Sequence, residues 1–179
     1  MEINTKGKND KMTLTVATAE CFTHGIIARE IHACTQGYQG EFGPRVLRSE
    51  TLKNLQEEVI LLCGMFIPTL SALKSVLNVD PPQPHKIIRE IKVYHEEDDQ
   101  EVALLMADAI RNITGADIGI GTTAGVGKGG IAIVTNEFSV KITSDVYADL
   151  CSSDSHQLLL RQKSGIEKTL ILLEEFLTH

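Results

Sequence analysis

The apolar positions of this 179-residue chain change period several times, and each change marks an element. Thr13 to Thr18 alternates as a strand does, and the chain then turns into a helix expected from about Glu20 to Ala33, with Ile26, Ile27, Ile31 and Cys34 at helical spacing. Gly37, Gly40 and Gly43-Pro44 break that pattern into a loop. Val59 to Ile67 is a continuous apolar run between Glu57-Glu58 and Pro68, which reads as a strand buried on both faces. A short helix is expected over Leu70 to Leu77. Pro81-Pro82 and Pro84 then impose an extended connector.

From Glu96 to Ile113 the chain is acidic at its start and apolar at Val102, Leu105, Met106, Ala109 and Ile113, an amphipathic helix with carboxylates near its positive end. Gly115 stops it. Asp117 to Gly121 predicts a strand, and a glycine-rich loop follows through Gly130. Ile131 to Thr135 and Ser139 to Thr143 predict a hairpin around Asn136-Glu137. Gln157 to Leu177 places Leu159, Ile166, Leu170, Leu173 and Leu177 on one stripe of a long closing helix, able to seal its own core or a neighbour's, as in a homodimer. There is no internal repeat. The order of elements predicts a single α/β domain over residues 12–179 behind a flexible tail, 1–11, with Met12 as a second start.

Composition narrows the function. The length suffices to bury roughly 70% of the unfolded surface. A net charge of −7, with 17 basic residues scattered along the chain, leaves nucleic acid without an electrostatic footprint. No run reaches the ~20 apolar residues that span a bilayer, and the polar opening lacks a signal-peptide core, so a cytoplasmic location is expected. Cys21, Cys34, Cys63 and Cys151 are irregularly spaced, with no C-x-x-C pair, and read as reduced thiols.

Cys21 carries the sharpest chemical signal, because it falls three positions past the first strand, where the helix is expected to begin. Unpaired amides and the positive helix end favour a thiolate there, and can bring a cysteine from about 8.5 down to ~3.5–7.5. The alternative is a small apolar group packed between strand and helix. His24 lies three residues on, placed as acid, base or partner to the thiolate, or as a solvated cap. Glu20 falls in the expected first helical turn, where the dipole stabilises it. No third ligand stands near Cys21 and His24, so no metal is assigned.

Gly119-Ile120-Gly121-Thr122-Thr123-Ala124 fits a loose dinucleotide fingerprint, but no helix follows it to receive a pyrophosphate. Gly127-Lys128 fits only part of a phosphate-binding loop. What remains is a glycine-rich segment with Thr122, Thr123, Gly125, Gly127, Lys128 and Gly129, read as an anion or nucleotide cradle, against the alternative of a tight turn. Asp145, Tyr147 and Asp149 line the same cleft or sit in a solvated loop.

Thr15-Val16-Ala17-Thr18-Ala19-Glu20-Cys21-Phe22-Thr23-His24-Gly25 resembles the opening of the CinA C-terminal domain family, the nicotinamide mononucleotide deamidases. Leu77-Asn78-Val79, the Glu96 to Gly115 helix, Ala116-Asp117-Ile118-Gly119 and Ala124-Gly125-Val126-Gly127 resemble later segments of it. That resemblance implies a compact α/β fold with a mixed sheet flanked by helices. In that family a serine nucleophile stands where this chain has Cys21, a glycine stands at His24, and the family's lysine falls one residue from Lys74.

The fuller resemblance is to the HcgF family of methanogenic archaea. Val16 to Gly25, Gly40 to Arg45, Gly64 to Ser71, Asp117 to Gly125 and Thr143 to Leu150 look like its pattern. It implies iron-guanylylpyridinol cofactor biosynthesis: a guanylylpyridinol precursor in the pocket, its activated carboxyl joined to Cys21 as a thioester, and Thr23 and His24 as polar support. Glu20 and the Thr122 to Gly130 segment would bind the nucleotide part. A thiolate does not attack a carboxylate, so the resemblance further implies an adenylylating partner like HcgE, with no intrinsic cofactor. The competing expectations are a cysteine-dependent amidohydrolase acting on a pyridine nucleotide amide and a non-catalytic nucleotide-binding module.

Overall fold

The computed structural model describes residues 13–178, so the expected tail and the Met12 start lie outside the described residues. In chain order the first elements are β1 (Leu14–Glu20), α1 (Ile26–Thr35), α2 (Gly43–Val46), α3 (Ser49–Glu58), β2 (Val59–Phe66) and α4 (Leu70–Ser75). A small hairpin follows, β3 (Lys86–Ile88) and β4 (Ile91–Val93), then α5 (Glu96–Thr114) and β5 (Ile118–Thr123). The chain closes with β6 (Val126–Gly127), β7 (Gly130–Val134), β8 (Ser139–Ile142), β9 (Ala148–Asp149) and α6 (Ser155–Thr178). The central sheet is mixed, in the order β2-β1-β5-β7-β8. β1 runs parallel to both β2 and β5, while β7 and β8 are antiparallel additions. The α/β class and the mixed sheet are therefore as expected. None of the described helices is long and apolar enough to cross a membrane.

Side-chain parity divides the sheet into two unlike faces. Val16, Ile118, Ile120 and Ile133 point to the side of α1, α3 and α6, where they meet Ile27, Ile31, Leu55, Ile166, Leu170 and Leu173. Ala17 and Ala19 point the other way, toward Val102, Met106 and Ile110 of α5. Ala132 and Val134 meet Ala103 and Ala107 of the same helix. Large residues fill one face, and small ones let α5 lie close on the other.

Glycine carries that approach to its limit. A Cβ at Gly119 would stand 2.1 Å from the Ala107 carbonyl oxygen, at Gly121 2.0 Å from that of Ala103, and at Gly130 2.2 Å from that of Asp99. Three glycines of the rich segment are thus a seat for helix backbone. This is a demand of packing, and no ligand is needed to account for it.

Several boundaries differ from the expected ones for local reasons. The run at Val59 is an edge strand with exposed Ile60, Leu62 and Phe66, because among the described residues nothing pairs on its outer side and its register shifts opposite Val16/Ala17. α2 and the β3/β4 hairpin are too short to show an apolar period, and α3 is mostly polar with Leu52 and Leu55 its large apolar residues, so none of them was expected. Along α6, Ile166, Leu170 and Leu173 seal this chain's own core, whereas Leu159 is 59% exposed where the helix overhangs a cleft. Gly121→Ala is expected to destabilise the fold by about 1–3 kcal/mol or more, because the added methyl meets helix backbone that no rotamer change can move. Urea unfolding of the variant checks this, and an unchanged midpoint would show that α5 shifts freely.

Candidate functional site

The carboxyl ends of three parallel strands, β1, β2 and β5, open on the same end of the sheet, and the chain leaves β1 for one neighbour and then the other. Such a switch in strand order is where open α/β sheets form crevices. The residues after β1 form a turn over 21–25, and α1 begins only at Ile26, later than the expected start at Glu20. The cause is backbone geometry: His24 and Gly25 hold φ of 55° and 77°, left-handed values that cannot continue a helix.

Glu20 organises this turn. It ends β1 on the α1 side of the sheet, wholly buried, and its carboxylate accepts from the amides of Ile27 (3.1 Å) and Ala28 (2.8 Å) and from the hydroxyls of Thr18 (2.9 Å) and Thr23 (2.7 Å). The amides of Ile26 and Arg29 go to the carbonyls of Thr23 and Gly25. All four leading amides of α1 are therefore taken, and the positive end of the helix meets Glu20 in place of a thiolate or an oxyanion.

A hydrogen-bond relay then reaches the cysteine. Thr23 gives its one hydroxyl proton to Glu20, so in the 2.7 Å contact with Thr122 it is Thr122 that donates. Thr122 Oγ1 in turn accepts from the Cys21 amide at 3.3 Å, and the Thr122 carbonyl accepts from that same amide at 2.9 Å. Cys21 is thereby tied to β5 and, through two hydroxyls, to a buried carboxylate.

Cys21 lines a cleft of about 220 Å³ together with Phe22, His24, Phe66, Pro68, Ile91, Ala124 and Leu150, and with Leu158, Leu159, Arg161 and Gln162 of α6. The walls are mainly apolar. The His24 ring stands edge-on to Phe66, centroids 5.3 Å apart. Gly165 lets α6 settle on Phe22, since a Cβ there would come within 2.4 Å of its ring, and one turn earlier the Arg161 guanidinium lies 5.9 Å from the same ring.

Arg161 is only 2% exposed. Its Nη1 donates to the carbonyls of Gly125 (3.0 Å), Gly127 (3.0 Å) and Ala148 (2.7 Å). Burial lowers its pKa, and the nearby charges of Asp99, Cys21, Asp149 and Tyr147 pull it back. Asp99, fully buried in the first turn of α5, accepts from the Gly125 amide at 2.7 Å. Desolvation pushes its carboxyl up to about 7, opposed by that amide and by the charges of Arg161 and Lys92.

The sequence-selected residues therefore divide. Cys21 and His24 line the cleft, while Glu20, Thr23 and Thr122 form its buried support. Thr123 is buried at the end of β5. The glycine segment is not an open cradle: Gly125 and Gly127 give their carbonyls to Arg161, Val126–Gly127 pairs with β9, and Gly129 holds a left-handed φ against Ala124. Lys128 is exposed, its amide on Glu96, and it does not reach the cleft. Asp145 pairs with Lys168 at 3.0 Å, Asp149 closes its own turn on Ser152 and Cys151, and Tyr147 is solvent-exposed. Arg161, Gln162 and Asp99 were missed. Each reads in sequence as one more polar residue of an amphipathic helix, and only an arginine buried within an apolar stripe would have stood out.

Comparison with known proteins shows the family and the fold. The family described as FeGP cofactor biosynthesis protein HcgF matches residues 13–177. A UPF0254 protein of Methanothermobacter thermautotrophicus is 51% identical over 162 residues, covering 90% of this chain and 98% of its own. One from Methanopyrus kandleri is 44% identical, covering 91% and 87%. Among solved structures, a competence or damage-inducible protein from Enterobacter asburiae superposes with a TM-score of 0.56 at 19% identity, covering 92% of this chain and 87% of that one. A CinA superfamily protein from Enterobacter cloacae gives 0.54 at 18% identity, covering 99% of each. At such identities the likeness is one of fold.

Asp99 yields a pH signature. Its carboxyl titrates near 7 when folded and near 3.9 when unfolded, so between those values the folded state binds more protons. Its contribution to stability accordingly declines as pH rises from about 4 to about 7 and is level above that. Asp99→Asn, which keeps an acceptor for the Gly125 amide, is expected to remove this decline. Urea midpoints of both proteins across that range check it, and parallel profiles would contradict it.

Proposed function

This chain belongs to the HcgF family of FeGP cofactor biosynthesis proteins, and on that premise we propose that it binds a guanylylpyridinol precursor and takes its activated carboxyl group onto Cys21 as a thioester. The observation that carries this reading is a cysteine held by its own amide in the lining of an apolar cleft that an imidazole also lines. About 220 Å³ is less than the ~300–1,000 Å³ of sites that enclose a whole ligand. The cleft suits the acyl-bearing ring, with the guanylyl part resting outside it.

In the proposed reaction the Cys21 sulfur attacks the carbonyl carbon of an acyl-adenylate. The C–S bond forms, the C–O bond to phosphate breaks, and AMP leaves with the electron pair. The thiol proton passes to His24 or to water. The adenylate itself comes from an adenylylating partner of the HcgE type, because a free carboxylate offers no leaving group. The apolar walls limit water near the thioester and so favour transfer over hydrolysis.

Intact-protein mass spectrometry after incubation with the adenylated precursor tests this. The wild-type chain is expected to gain one hydroxylamine-labile acyl adduct, and Cys21→Ala none. An equal adduct on Cys21→Ala, or on Cys21→Ser with the same lability, would remove Cys21 as the acceptor.

A further inference from the structure

The cleft is lined by a cation with three of its five N–H donors unanswered among the described residues. Arg161 is 98% buried, and among the described residues every hydrogen bond of its guanidinium is made by Nη1, which three backbone carbonyls hold in place. Its Nε is buried without a partner. Nη2 likewise forms no hydrogen bond with the described residues. The Nε–Nη2 edge carries two parallel N–H groups at the spacing of carboxylate oxygens, the geometry that makes arginine a bidentate receptor. Gln162, the next residue on the same wall, also has a buried amide nitrogen with no partner.

A buried charge left this way is costly unless something completes it, since an unpaired buried donor has lost its water and a charged one has lost more. Asp99 does not complete it, for its carboxylate lies beyond ion-pair distance, faces the Gly125 amide, and tends to hold its proton near neutrality. Nothing else acidic lines the cleft, whose other walls are aromatic and aliphatic apart from Cys21, His24 and Gln162. The group that fits is planar, carries two oxygens, and is anionic.

We infer that the Nε–Nη2 edge of Arg161 is the receptor for the ligand's carboxyl group in its free, unactivated form, holding the carboxylate in the cleft that Cys21 lines. This assignment deepens the proposed function and rests on it for the ligand's identity. Nη1 acts separately, for by drawing together the carbonyls of Gly125, Gly127 and Ala148 it fixes the guanidinium plane before any ligand arrives. Arg161 is thus a binding residue whose orientation is set in advance by the glycine segment.

The test uses Cys21→Ala, in which no acyl transfer is possible, and measures binding of guanylylpyridinol and of its carboxamide by calorimetry. The carboxylate is expected to bind about 10–100-fold more tightly than the neutral amide, the range for a charge-assisted bidentate pair. Arg161→Lys and Arg161→Gln in the same background are expected to reduce that ratio to near one. Because loss of the Nη1 contacts can unfold either variant, a crystal structure of Cys21→Ala with guanylylpyridinol provides an independent reading, with the carboxyl oxygens expected within hydrogen-bond distance of Nε and Nη2. A ratio near one in Cys21→Ala, an undiminished ratio in folded Arg161 variants, a carboxyl group seated away from the guanidinium, or no binding of either compound would overturn the inference. Failure of Cys21 to be acylated in the wild-type chain would defeat the thioester reading and leave this ratio untouched.

Discussion

The site depends on one buried carboxylate. Glu20 ends β1 on the sheet face that carries α1, and from there it accepts two leading amides of that helix and two threonine hydroxyls. Burying a charge without partners is prohibitive, so Glu20 can sit at zero exposure only because those four donors surround it. The same bonds dictate where α1 begins and bring Thr23 against Thr122. Cys21 occupies the short interval between strand end and helix start, so its position follows from a contact it does not itself make.

A second polar assembly completes the cleft from the opposite side. α6 lies across the sheet end because Gly165 admits the Phe22 ring, and this carries Arg161 to the carbonyls of the glycine segment. Asp99 takes the Gly125 amide from the other direction. One residue, Gly125, is thus held by α5 through its N–H and by α6 through its carbonyl, and Ala124, just before it, lines the cleft. The glycines carry little chemistry themselves. They let two helices approach the β5–β7 connection closely enough for charged side chains to grip its backbone.

The relationship to the CinA superfamily structures is consistent with this division of labour. A shared sheet and helix arrangement persists at 18–19% identity, which is enough for a scaffold and too little to carry a mechanism. In this chain, a member of the HcgF family, the scaffold holds the Cys21 sulfur in a mainly apolar cleft. The chemistry open to that sulfur is set by what α6 and the residues after β2 place around it.

Much of this was legible in the chain itself. Alternation and helical period identified β1, α5, β5, the β7–β8 hairpin and α6, because those segments bury one face and leave the other polar or small. The position of Cys21 just past a strand marked it as the residue of interest. Period alone could not show that β2 is an edge, since an apolar run reads alike whether one face or two are covered. Nor could it show that the helix amides were already taken by Glu20, or that the glycines face helix backbone in place of a ligand. Those outcomes depend on which residues meet across 100 or more positions, as the Cys21 and Thr122 pair does, and on Arg161 finding carbonyls some 34 residues earlier. Local sequence sets the period of each element and the chemistry of each side chain, whereas donors, acceptors and cavities arise between elements and exist only once the chain is packed.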